Sequence, residues 1–264
     1  MFRTTRRTAL AALAAVALTA TTAAATTIPT YKEFRAATFQ DTDGTYIVNG
    51  DEPVDNAGEL HQFYDSLVGS STPTDSLIVN RVNGRDDVWT AAQVANLTYC
   101  VSDRFGKDKA DVVNAMAQGA GLWEGASSKI NFIHVAAQDG SCTTRNSAVV
   151  FSIEPTRTTQ YIARAFFPST SKSGRNILVN ARSLRSSGSW TPGNIMGHEL
   201  GHVLGLRHEH TRPEAGTCFE DNSWRALTPY DSASIMHYPQ CNGSSSDLSM
   251  TDEDRQGIRA LYGN

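Results

Sequence analysis

The chain has 264 residues, 40% of them hydrophobic and 19% charged, with a formal charge of −4. That is enough chain for one sizeable core. The body carries no Lys/Arg run, which excludes the basic footprint that nucleic-acid binding requires, and no acidic tail is present.

At the N terminus, Arg3, Arg6 and Arg7 precede an apolar run from Ala9 to Ala20 and then small residues. Twelve residues, mostly alanine, fall short of the roughly 20 that span a bilayer. Residues 1–25 therefore read as a removed export signal, with secretion expected and no membrane contact in the mature form. Arg6 and Arg7 also fit a loose twin-arginine pattern, so the export route stays open. Residues 26–87 are polar, cysteine-free and rich in turn formers, and read as a pro-segment or N-terminal extension ahead of a domain at 88–264.

From Val88 the apolar content is denser. NLTYCVS (96–102) reads as a strand, and residues 108–125 place Val112, Met116, Ala120 and Trp123 at helical spacing, as core positions. Strands are expected within 129–135, 148–154, 161–167 and 176–182, then a helix near 192–204. After Gly205 the chain turns irregular until Thr251 caps a C-terminal helix that Gly263 stops. The expected fold is α+β: a mixed twisted sheet with an active-site helix, a C-terminal helix and an irregular C-terminal subdomain.

Cys100, Cys142, Cys218 and Cys241 make an even set, as suits two disulfides in an oxidising compartment. Three pairings are open. Cys100 with Cys142 and Cys218 with Cys241 is the expected one, because each bond then lies to one side of a dense histidine motif.

That motif is MGHELGHVLGLRHEHTRP, residues 196–213, which holds four of the chain's seven histidines. Residues four apart in a helix lie one above the other, so His198 and His202 point to one spot, as two imidazole ligands of a zinc ion. Glu199 sits where a general base reaches a metal-activated water. Gly205 ends the helix in the left-handed conformation and returns the chain, bringing His208 in as third ligand. Three ligands and an open fourth position mark catalytic zinc. His210 falls outside this register and reads as a solvated turn residue.

HELGHVLGLRH resembles the metzincin pattern HExxHxxGxxH, and SIMHY (234–238) resembles the Met-turn of that clan. HEHTRP and SIMHY are most similar to astacins. Leu206, where astacins usually have Phe, and Glu214 depart from them. The layout of residues 97–263 resembles bacterial secreted metallopeptidases of the HEIGH type. The resemblance implies a metzincin-like catalytic domain with one zinc ion, and a secreted endopeptidase acting on protein or peptide substrates as a monomer. Met236 would be an apolar floor under the metal, Tyr238 a switchable ligand that hydrogen-bonds the oxyanion, and Glu209 a supporting carboxylate. Asp51 in YIVNGDEP is similar to the aspartate with which astacin pro-segments occupy the zinc, though VNGD lacks their first Phe; an ordinary surface turn is the alternative. A zinc-binding protein of the same fold without turnover, and a structural-zinc module, are the rival readings. An extended substrate is expected along residues 161–167.

Overall fold

The computed structural model describes residues 29–68 and 76–264, so the export signal expected at 1–25 lies outside the described residues. Thr30 and Glu33 form a capping box that starts α1 (Tyr31–Ala37). β1 (Phe39–Gln40), β2 (Tyr46–Val48) and β3 (Glu52–Val54) then make an antiparallel sheet, followed by α2 (Ala57–Val68). Tyr46, Val48 and Leu60 bury into a small cluster of their own, flanked by Tyr31, Phe34 and Phe63.

β4 (Ser76–Val82) leaves that unit. It pairs antiparallel with β5 (Arg85–Asp86) on one side and with a late strand, Trp224–Thr228, on the other. Leu77, Ile78 and Val79 are fully buried. Leu77 packs into the main core cluster with residues of the chain beyond Val88, although it lies within the 26–87 stretch. Three apolar residues in a row describe a strand buried on both faces, which the turn-rich flanks of β4 obscured.

The body continues with α3 (Ala91–Val94), β6 (Leu97–Val101), α4 (Lys109–Ala126), β7 (Phe132–His134), β8 (Phe151–Pro155), β9 (Ala163–Arg164), β10 (Asn176–Val179), α5 (Ala181–Arg185) and α6 (Pro192–Val203). β11 (Trp224–Thr228) and α7 (Asp252–Tyr262) complete it. The main sheet runs β7-β6-β8-β10-β9, parallel throughout except for β9, which is antiparallel to β10. This is the expected mixed sheet. Of residues 161–167 only Ala163 and Arg164 join the ladder, at its edge, since Ala165 and Phe166 are buried in the core.

α4 and α6 cross closely enough that a Cβ on Gly119 would lie 2.6 Å from the Gly197 nitrogen. Trp123 is buried in the core, and its Nε1 donates to the Gly197 carbonyl at 2.8 Å, tying the two helices together. Disulfides join Cys100 to Cys142 and Cys218 to Cys241. Residues 206–250 form mostly turns, as expected, apart from β11, which pairs with β4 and was not foreseen.

Candidate metal centre

α6 is capped by Thr191, whose side chain accepts from the Asn194 nitrogen, and Pro192 stands in its first turn. Its inward face carries His198, Glu199 and His202, all buried. Gly205 ends it with φ +94, and a Cβ there would lie 2.2 Å from the Asp87 carbonyl, so glycine is required for both conformation and space. The chain then runs against β4: Asn80 N donates to Gly205 O at 2.7 Å, and Arg207 N to Ile78 O at 3.0 Å. That clamp delivers His208.

The Nδ1 of His198 donates to the Ile235 carbonyl at 2.7 Å and that of His202 to the Leu206 carbonyl at 2.9 Å. The Nδ1 of His208 faces Glu220 Oε1 at 2.7 Å. With each Nδ1 so engaged, the three Nε2 atoms face one another, those of His198 and His208 3.2 Å apart. Asp51 reaches them from the extension: its Oδ2 lies 3.3 Å from His198 Nε2, and its Oδ1 lies 3.6 Å from His202 Nε2 and 3.2 Å from His208 Nε2. One ligand atom from each of Asp51, His198, His202 and His208 falls within 4.8 Å of the others. Tyr238 Oη donates to Asp51 Oδ2.

Asp51 arrives on the turn between β2 and β3, where Asn49 and Gly50 both have positive φ. Tyr238 stacks on the His198 ring at 5.3 Å and on the His210 ring at 5.1 Å. Below the helix Met236 is fully buried, and a Cβ on Gly201 would lie 2.3 Å from its sulfur. Asp254 of α7 holds this turn in place, accepting from Ile235 N at 2.9 Å and Ser234 Oγ at 2.5 Å.

The residues fit a divalent cation of zinc's character. Three imidazoles and a carboxylate are a donor set for tetrahedral zinc. Asp51 Oδ1 and His202 Nε2, both buried, have no hydrogen-bond partner, as atoms reserved for a metal would be. Burial opposes ionisation of Asp51, but the His208, His198 and His202 imidazoles outweigh it and hold its carboxyl well below the usual range. Burial also opposes protonation of His208, yet the charges of Asp51 and Glu220 push it well above the ordinary imidazole value. His202 is pushed down to about 3 by burial, against the attraction of Asp51. The pocket thus demands a positive charge at its centre, from a proton or from a metal.

Glu199 is buried beside this cluster, with Oε2 unpartnered. Burial first, then the charge of Asp51, pushes its carboxyl well above the usual range. Glu209 is also fully buried, but it faces away, with Oε1 accepting from Asp231 N at 3.1 Å and lying 3.8 Å from Arg212 Nε. His210 is a correction to the solvated position expected for it. It is buried, its Nδ1 accepts from Tyr238 N at 3.2 Å, and its Nε2 lies 3.2 Å from Glu220. The cause is a short turn at 209–211 whose Glu209 N donates to Met236 O at 2.8 Å, pulling the segment inward.

Sequence reasoning missed Glu220, Asp254 and Arg207. Glu220 orients His208, and the one available hint was its place two residues after Cys218, inside a disulfide loop that folds back on the motif. A cavity of about 200 Å³ adjoins Glu199 and Tyr238, walled by Tyr161, Trp190, Ile195 and Leu248.

No protein-family model matches the chain, and no curated protein does. Among solved structures, that of myroilysin is similar at a TM-score of 0.46 and 18% identity, covering 71% of this chain and 98% of that one.

Proposed function

We propose that the chain is an exported zinc-dependent endopeptidase, of astacin-like metzincin type, held latent by its own extension. The observation that carries this reading is the convergence of three Nε2 atoms, each imidazole anchored through its other nitrogen, on one carboxylate that comes from a separately clustered N-terminal unit.

His198, His202 and His208 would hold the ion, with Asp51 as fourth ligand in the latent chain. Bound zinc supplies Lewis-acid chemistry, acidifying water and polarising a peptide carbonyl. Departure of the extension would remove Asp51 from the three imidazoles. It also frees the Tyr238 hydroxyl, which then donates to the oxyanion of the tetrahedral intermediate. Glu199 takes the proton of the attacking water and passes it to the leaving amine nitrogen, so the C–N bond breaks as the amine is protonated. Met236 packs beneath the ligands and keeps their floor dry, and Glu209 braces the turn that follows His208. The β9 edge offers backbone groups for an extended substrate.

The test measures zinc content and casein hydrolysis for the full chain and for its processed form, with and without a chelator. Bound zinc in both, with hydrolysis in the processed form alone and lost to chelator, is the expected result. Bound zinc without hydrolysis in either form favours the non-catalytic zinc protein instead.

A further inference from the structure

Two arginines of the body are buried against the extension, and they differ in what they would keep without it. Arg207 meets Glu52 of the extension at 3.3 Å, but it also meets Asp221 at 2.7 Å and Glu220 at 3.2 Å, both from the body. Its charge stays matched when the extension leaves. Arg164, on the edge strand β9, is only 2% exposed. Its Nε lies 3.4 Å from Asp41 and its Nη2 lies 3.1 Å from Asp43, and both carboxylates belong to the extension. Among the described residues the body gives Arg164 one close polar partner, the neutral Asn176, whose Oδ1 accepts from Nη1 at 3.2 Å. Tyr161 donates to the same Asp41 Oδ2 at 2.5 Å.

Removing the extension therefore leaves a guanidinium, steadied by Asn176, and a phenol hydroxyl oriented on a place where a carboxylate has just been. The uncovered guanidinium keeps the planar fork that pairs with another carboxylate through charge-assisted hydrogen bonds. Tyr161 also walls the cavity beside Glu199, so this place continues the catalytic cleft along the sheet edge. We propose that Arg164, with Tyr161 and Asn176, forms a carboxylate subsite that selects substrates carrying an acidic side chain, and that Asp41 and Asp43 fill it in the latent chain. This deepens the peptidase reading and rests on it for the departure of the extension.

The test has a binding arm and a turnover arm, both on processed protein prepared from the full chain by limited proteolysis. The binding probe is the fluorescent peptide TFQDTDGTYIVN, residues 38–49, which lacks Asp51, against the same peptide with Asp41→Asn and Asp43→Asn. The acidic peptide should bind at least about 10-fold tighter, as charge-assisted hydrogen bonds to a guanidinium require, and Arg164→Gln should erase the difference. In turnover, quenched peptides scanned with Glu against Gln should show a preference for Glu in kcat/KM, confined to one or two neighbouring positions and lost in Arg164→Gln. Equal affinity of the two probes for the wild-type protein overturns the subsite, whether or not the variant folds. An affinity difference without any hydrolysis sinks the peptidase reading and leaves the subsite standing; hydrolysis with equal affinities and no acid preference does the reverse.

Discussion

The extension and the body of this chain are held together by different forces. The body rests on a continuous core that runs from Leu77 to Ile258, with disulfides at Cys100–Cys142 and Cys218–Cys241. The extension has a cluster of only three buried apolar residues and meets the body through Asp41, Asp43, Asp51 and Glu52, each set against an arginine or the histidine cluster. Apolar cores are non-directional and hard to dismantle locally, whereas buried ion pairs gain little net energy unless every partner is in place. The proposed latency rests on this second kind of attachment, which would close a site and still come away once its chain connection is cut.

The sharpest probe of that contrast is Glu199→Gln. Processed enzyme carrying it should lose about 10³-fold or more in kcat/KM, because the removed group moves a proton in the transition state, while zinc stoichiometry stays near that of the wild type. Near-normal turnover would show that the base lies elsewhere.

Next in size is the staple of the body. Replacing Cys100 and Cys142 by alanine opens a loop spanning 42 residues in sequence and should lower stability by about 3–4 kcal/mol, read as a fall in the body's melting transition. A transition that moves together with the loss of the extension instead would mean that the two units are not independently held.

Asp51→Ala in the unprocessed chain should raise its hydrolysis by about 100-fold over the unprocessed wild type, since an open ligand position replaces a buried carboxylate. Equal activity in the two would remove Asp51 from latency and leave residues 29–68 as a folding aid. The smallest effect is expected for Glu220→Gln, about 10-fold in metal affinity, through weaker orientation of His208. Competition with a chelating dye reads it directly, and an unchanged affinity would mean that the Cys218–Cys241 loop holds His208 by packing alone.

What could be read ahead of the structure divides along the range of the contacts involved. His198 and His202 share a helix face by spacing alone, and Gly205 marks the turn that returns His208; these are local rules. Asp51 was singled out only by its likeness to the aspartate of astacin pro-segments, since its turn residues, Asn49 and Gly50, fit an ordinary surface turn equally well. Glu220, Asp254 and Arg164 were not visible, because each acts across a fold-back of the chain that no local pattern encodes. Asp254 shows this well: it reads as an ordinary acid in the first turn of α7, and only the packing of α7 beside residues 234–236 makes it the anchor of the segment under the ligands. His210 misled for the same reason, since a polar residue in an irregular stretch looks solvated until the surrounding turns are seen to close over it.

The hydrogen bonds from β4 to Gly205 and Arg207 also set an order of events in time. Val79 pairs with Leu206, so the strand that positions His208 must wait while more than a hundred further residues are made, and long-range pairings of this kind form late. The side-chain hydrogen bonds within residues 29–68 reach across 35 residues at most, as from Tyr64 to Pro29, and form with far less chain in place. On the proposed reading, the plug is thus ready before there is a site to plug, and no stage of synthesis passes through an assembled, unguarded cleft.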